Sequence, residues 1–211
     1  MPHINFEEVD SKITPNPLLL VQDVIPKPLW GVNPRLIKGK EWWDKVRKEV
    51  YATHFYRCMA CGQLPDDHPV GGLHAHERYD VDWAKGRATF IEVVALAECC
   101  HSFVHLGRSL SEVAHSSKSR SLFLECVEYC LDVLKMHKVK LSRTKYQQLA
   151  SSRILSKKVK QLINSIEVGN SEPLVVTPKW RDWRMIFEDN EYSPMYNTEF
   201  QTNLYYLLGG E

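Results

Sequence analysis

The chain has 211 residues and a mass of 24.5 kDa, with 27 lysine and arginine residues against 26 aspartate and glutamate residues. This near balance excludes a uniformly basic nucleic-acid coat protein and a uniformly acidic chain. With 44% hydrophobic and 25% charged residues, the composition is typical of a soluble globular protein. No run approaches the roughly 18 apolar residues of a membrane span, and the first residues lack the pattern of a secretory signal. We therefore expect no membrane contact and a cytoplasmic location.

Residues 1–36 are predicted to form an extended arm over the surface. Five residues between positions 13 and 36 are proline, which fixes the backbone and removes a hydrogen-bond donor. Residues 41–51 carry apolar side chains at helical spacing, which predicts an amphipathic helix. We expect residues 37–110 to form a small module of their own.

The six cysteines fall into three pairs with different predicted roles. Cys126 and Cys130 are spaced as neighbours on one face of a helix, so we expect them in the core. Cys58 and Cys61, followed by Gly62, form the tight knuckle that can chelate zinc. Cys99 and Cys100 follow about forty residues later and supply the second half of such a site. The spacing therefore predicts a structural zinc ion.

The segment between these cysteines is predicted to contain two strands. Residues 73–79 alternate like a strand, and residues 89–96 are rich in apolar and β-branched side chains. A short helix should follow from Cys100 to about Leu106, and it would place His101 and His105 on one face. The order is knuckle, strand, strand, helix, within a chain that we expect to be α+β and mostly helical.

Residues 111–211 are predicted to be helical, with an aromatic tail from Trp180. A helix should end near Met136, and residues 148–163 fit one helix or two. Between positions 135 and 160 the chain has nine basic residues and no acidic ones. This basic segment either binds nucleic acid or is an ordinary solvated face. If the aromatic tail folds over the segment, it would hide the basic residues from nucleic acid. The candidate contacts are Lys140, Arg143, Lys145, Lys157, Lys158 and Lys160.

Residues 28–108 resemble a zinc-containing HNH-like endonuclease family of bacteria and phages, which belongs to the ββα-metal class. The resemblance is carried by Trp30-Gly31-Val32-Asn33, Trp43-Asp44, Tyr56-Arg57-Cys58-x-x-Cys61-Gly62, His76-Glu77-x-Tyr79-Asp80 and Ala95-Leu96-Ala97-Glu98-Cys99-Cys100-His101-x-x-x-His105-x-Gly107. It implies a β-hairpin and a helix that grip one divalent ion, Mg²⁺ or similar. It also implies that His76 is the general base and His101 a ligand of that ion, with His105 facing the ion or a phosphate.

Three positions depart from the family pattern. Ala97 stands at the first position of the second C-x-x-C of the family, where Cys100 keeps the second position. Cys99, His74, His101 or His105 would then complete the zinc site with Cys58, Cys61 and Cys100. Ala75 precedes His76 where the class has a metal ligand, and Glu92 aligns near the asparagine of HNH. Glu77 is a further candidate for recruiting the metal. The chain is thus expected to be a degenerate member.

Two functions follow from this resemblance. The first is metal-dependent phosphodiester hydrolysis on DNA, with incomplete catalytic residues. The second is a catalytically inactive zinc scaffold, encoded by a phage or mobile element, that binds nucleic acid or a host protein. Alternatively, His76, His101 and His105 have no catalytic role, and they cap a helix, pack in the core or ligate the zinc.

Overall fold

The computed structural model describes residues 13–113, 117–169 and 178–207. Helices α1 to α8 span Pro34–Lys38, Lys40–Thr53, Glu98–Val104, Leu106–Val113, Ser117–Met136, Arg143–Ser151, Lys157–Asn164 and Glu199–Leu207. Strands β1 to β4 span Leu73–Asp82, Arg87–Ala97, Arg184–Phe187 and Asn190–Tyr192. The predicted α+β class is confirmed. None of the described helices combines the length and apolar character needed to cross a membrane.

The four strands form one sheet in the order β1-β2-β3-β4. Both predicted strands are present as β1 and β2, and a connection of only four residues between neighbouring strands requires that they run antiparallel. Strand β3 pairs with β2 in parallel, with Arg184 opposite Arg87, and β4 pairs antiparallel with β3. The tail from Trp180 therefore contributes strands that the sequence did not predict.

The chain divides into two compact units. The first takes the described residues within 1–22, 50–76 and 94–171, and the second takes those within 23–49, 77–93 and 172–211. Each unit contains residues from all three predicted segments, 1–36, 37–110 and 111–211. Both candidate metal sites lie in the first unit.

The core of the first unit is built largely by α3 and α5. Cys126 and Cys130 are buried there, as predicted from their helical spacing. Leu19 and Leu20 of the proline-rich arm are also fully buried in this core. They lie on a short 3₁₀ helix, Pro17–Val21, so the expectation of a purely extended surface arm is wrong at this point.

The basic segment forms two helices, α6 and α7, rather than one. Each begins with a serine whose side chain accepts a hydrogen bond from the helix backbone: Ser142 from the Lys145 amide and Ser156 from the Val159 amide. The Ser156 cap lies at the break between the two helices and fixes the start of α7.

The second unit has a smaller core around β2 and β3. Leu29, Trp183, Met185 and Phe187 are buried in it. Trp183 and Phe187 come from the aromatic tail, which therefore contributes to this core.

Candidate metal centres

The first candidate centre begins with the knuckle at Cys58 and Cys61. The Gly62 amide donates to the Cys58 carbonyl at 2.7 Å, and Gly62 has a φ of 78°, which glycine adopts without steric penalty. The Met59 amide donates to the Ala95 carbonyl near the end of β2 at 2.8 Å. The knuckle is therefore tied to the strand that leads directly into α3.

Helix α3 brings Cys100 to the knuckle, where a fourth residue, His68, completes the group. The ligand atoms of Cys58, Cys61, His68 and Cys100 all lie within 4.8 Å of one another, and all four residues are buried. The Cys61 Sγ lies 4.0 Å from the Cys100 Sγ and 3.2 Å from the His68 Nε2. A tetrahedral zinc ion places two sulfur atoms roughly 3.8 Å apart and a sulfur and a nitrogen roughly 3.5 Å apart. The group can thus hold one metal ion such as zinc.

A backbone hydrogen bond orients His68 for this role. Its Nδ1 lies 2.8 Å from the Leu64 carbonyl oxygen. Because a carbonyl only accepts, Nδ1 carries the proton and Nε2 presents its lone pair to Cys61. The short 3₁₀ helix Pro65–Asp67 positions this ring, and the His68 amide donates to the Pro65 carbonyl at 3.2 Å.

His68 is the candidate ligand that the sequence analysis missed. Cys99, His74, His101 and His105 were the expected candidates, and the four-residue group contains none of them. Cys99 instead faces α5, where its thiol interacts with those of Cys126 and Cys130. The available signal was a histidine seven residues after Cys61, in a segment that contains two prolines.

The buried thiols influence one another's ionisation. Burial raises the pKa of Cys58, but hydrogen bonds from Cys100, Cys61 and His68 outweigh it and hold the pKa well below its usual value. Burial and the neighbouring thiols raise the pKa of Cys61 well above its usual value. One thiolate is therefore stabilised by its neighbours, whereas further thiolates need a cation to offset their charge.

The second candidate centre consists of three histidines. The ligand atoms of His76, His101 and His105 lie within 4.8 Å of one another, and the His105 Nε2 is 3.3 Å from the His76 Nδ1. His76 is buried on β1, whereas His101 lies on α3 and His105 ends that helix one turn later. The structure thus brings together three of the four residues that the sequence analysis assigned to catalysis.

His101 and His105 favour the neutral form. Burial lowers the pKa of His101 to about 3, with a further contribution from His105. Burial also lowers the pKa of His105 to about 4, and the nearby Lys145 adds to this effect. Neutral imidazoles present the lone pairs that a metal ion requires.

An ion pair flanks the histidine group without joining it. His74 contacts the Glu98 carboxylate, and its ring stacks on that of His101 with centroids 5.0 Å apart. The hydrogen bond to Glu98 raises the pKa of His74, and the same contact lowers the pKa of Glu98 to about 2. Ser102 also donates to Glu98 at 3.1 Å. The Glu98 carboxylate is therefore engaged by His74 and Ser102 and does not belong to the histidine group.

Lys145 has a structural role that contradicts its predicted contact with nucleic acid. Its side chain is buried, and its Nζ donates to the carbonyls of Phe103 at 2.9 Å and Val104 at 2.7 Å. These carbonyls end α3 immediately before His105. A cation at the end of a helix satisfies its last carbonyls and complements its dipole. The prediction that Lys145 binds a phosphate is wrong, because its ammonium group is committed to this helix end.

Glu77 and Glu92 lie outside the histidine group. Glu77 is next to His76 on β1, so the two side chains point to opposite faces of the strand. Burial raises the pKa of Glu77, against the opposing effect of Arg35. Glu92, at the position of the HNH asparagine, forms an ion pair with Arg78.

The other candidate nucleic-acid contacts are on the surface of the first unit. Lys140 pairs with Glu167 and Lys158 with Glu128, each at 2.5 Å. Arg143, Lys157 and Lys160 are exposed. Binding of nucleic acid by these residues stays a prediction.

No protein-family model, curated protein or solved structure matches this chain.

Proposed function

We propose that this chain is an HNH-like nuclease-fold protein that hydrolyses phosphodiester bonds of DNA in a metal-dependent reaction. The observation that carries the proposal is the meeting of His76 from β1 with His101 and His105 from α3 and its end. Strand, strand and helix follow one another in the chain as the resemblance implies. In this proposal the Cys58, Cys61, His68 and Cys100 group holds a structural zinc ion.

The histidine group has the chemistry that hydrolysis of a phosphodiester needs. A divalent cation bound there supplies positive charge for the phosphate and lowers the pKa of water. His101 and His105 are neutral at physiological pH and hold their lone pairs ready for that cation. Lys145 fixes the end of α3 and so the position of His105. In the proposed nuclease, His76 either takes a proton as the resemblance implies or binds the cation itself.

A catalytically inactive scaffold is the second candidate function. Ala75 provides no ligand next to His76, and Glu92 is engaged by Arg78. Both positions depart from the residues that the HNH resemblance expects. A zinc-stabilised module with these changes retains a surface for nucleic acid or a host protein without cleaving DNA.

Plasmid nicking distinguishes the two functions. We expect the full-length protein to nick supercoiled plasmid with Mg²⁺, Mn²⁺, Co²⁺ or Zn²⁺, and we expect His76→Ala and His101→Ala to abolish nicking. His137→Ala is the matched control, because His137 is exposed at the end of α5 and belongs to neither centre. Binding of DNA without nicking under any of these metals would instead support the scaffold. Nicking that is unchanged in His76→Ala would refute the nuclease proposal.

A further inference from the structure

We infer that His76, His101 and His105 form a three-imidazole site for one zinc-class transition-metal ion, in which His76 is a ligand rather than the general base. The inference deepens the proposed function, because it assigns the cation class of the same site. It departs from the magnesium ion and the histidine base that the resemblance implies.

The spacing of the ring nitrogens carries the first part of the argument. The His76 Nδ1 and the His105 Nε2 are 3.3 Å apart. A tetrahedral ion with nitrogen ligands at about 2.0–2.1 Å places them roughly 3.3–3.4 Å apart. An octahedral magnesium ion, with ligands at about 2.0–2.1 Å, places neighbouring ligands roughly 2.9 Å apart. The observed separation fits the tetrahedral arrangement, and in the metal-free site it also allows one ring to donate a hydrogen bond to the other.

The donor atoms carry the second part. Magnesium prefers oxygen ligands, whereas imidazole suits zinc, copper, iron and nickel. Among the residues that the structure describes, no carboxylate belongs to the histidine group. The nearby Glu98 is bound by His74 and Ser102, and Glu77 lies on the opposite face of β1. A group of three nitrogens therefore selects against magnesium.

The two centres differ in how much of the coordination sphere they fill. Cys58, Cys61, His68 and Cys100 supply four buried ligands, which is typical of a closed structural zinc site. The histidine group supplies three, which is typical of a catalytic site with a position open to water or substrate. The second ion should accordingly exchange more readily than the first.

Cobalt substitution of the metal-free full-length protein tests the assignment. We expect two equivalents of Co²⁺ to bind with different spectra. The equivalent in the cysteine group gives thiolate-to-cobalt charge-transfer bands, and the equivalent in the histidine group gives d–d bands alone. Zn²⁺ should displace the second equivalent, and millimolar Mg²⁺ should not.

Variants identify the ligands. His105→Ala and His76→Ala should each lower the affinity for the second equivalent of Co²⁺ by roughly tenfold or more, as loss of a metal-site contact does. The thiolate bands should persist in both variants, which shows that the fold is intact, and His137→Ala should bind both equivalents normally. A single equivalent in the unmodified protein, displacement by Mg²⁺, or unchanged affinity in His76→Ala would overturn the inference.

The outcomes also separate this inference from the proposed function. A protein that binds two cobalt ions as described but cleaves no DNA contradicts the nuclease alone. A protein that binds one cobalt ion and nicks DNA with Mg²⁺ contradicts the metal assignment alone.

Discussion

Cys100 and His101 are consecutive residues of α3, yet their side chains belong to two different groups that could each hold a metal ion. Successive side chains on an α-helix point about 100° apart, so Cys100 faces the knuckle while His101 faces β1. Cys99 takes a third direction, toward α5. One helix of seven residues thus fixes the position of both centres relative to the core. Loss of the first metal should therefore disturb the second.

Replacing a cysteine of the first centre should remove its metal. Cys100→Ala should lose the zinc ion and with it several kcal/mol of folding free energy, because metal binding of this kind is coupled to folding. Cys126→Ala is the matched control, since Cys126 is buried in the same core as Cys100 but belongs to neither candidate centre. Elemental analysis and urea unfolding measure the two effects. Equal zinc content in both variants would contradict the assignment of Cys100.

The fourth ligand can be tested in the same way. We expect His68→Ala to bind zinc much more weakly, because the group then loses the nitrogen ligand that lies 3.2 Å from the Cys61 Sγ. His74→Ala should keep the zinc, although His74 was a candidate ligand from the sequence. Competition with a chromophoric chelator measures the affinities. If His74→Ala releases zinc and His68→Ala retains it, the ligand set is wrong.

Lys145 is predicted to matter for stability rather than for binding. Lys145→Met removes hydrogen bonds to the Phe103 and Val104 carbonyls, and the loss should destabilise the fold by about 1.5–3 kcal/mol. Lys157→Met should change stability little, because Lys157 is exposed. Urea unfolding of both variants provides the comparison. An equal, small effect of the two substitutions would refute the role of Lys145.

The exposed basic residues can be tested separately. If Lys157 and Lys160 contact phosphates, Lys157→Gln with Lys160→Gln should weaken DNA binding and reduce the salt dependence. Each contact accounts for about 0.9 log units of affinity per log unit of salt. Fluorescence anisotropy over a salt series measures the slope. A slope that stays the same in the double variant would show that this surface is merely solvated.

The His74 and Glu98 pair predicts a pH-dependent contribution to stability. The pKa of His74 is raised above 6.5, so its contribution is full below about pH 6.5 and is lost as the pH rises through the raised value. The pKa of Glu98 is lowered from 4.5 to about 2, so its contribution is full above about pH 4.5 and is lost toward pH 2. The pair should therefore stabilise the fold most between about pH 4.5 and 6.5. Because both side chains are partly exposed, we expect the pair to contribute at most about 1 kcal/mol to the free energy of unfolding.

Urea unfolding of the unmodified protein and of His74→Gln at pH 5.5 and pH 8.5 measures this contribution. The difference between the two proteins should be larger at pH 5.5. His137→Gln serves as the control, because it should show no such change. A difference that is the same at both pH values would contradict the ion pair.

The sequence predicted the parts of the site that depend on local patterns. The knuckle of Cys58 and Cys61, the strands β1 and β2 and the buried pair of Cys126 and Cys130 follow from spacing and periodicity alone. Cys58, Cys61 and Cys100, three of the four residues that meet in the first candidate centre, were also among the predicted zinc ligands. These features need only a few neighbouring residues to be recognised.

The features that sequence reasoning missed depend on contacts between distant residues. His68 lies in an irregular loop, and only the fold shows that it meets Cys100. Strands β3 and β4 have four and three residues, which is too short for a periodic signal, and β3 is defined by pairing with β2. Lys145 looked like part of a basic surface because its partners are backbone carbonyls some forty residues away.

X-ray absorption at the zinc edge of the purified protein tests the central claim most directly. After brief chelation to clear the more exchangeable histidine site, we predict one zinc ion per chain with three sulfur neighbours and one nitrogen neighbour. Protein free of zinc, or a zinc ion surrounded only by nitrogen and oxygen, would contradict the account.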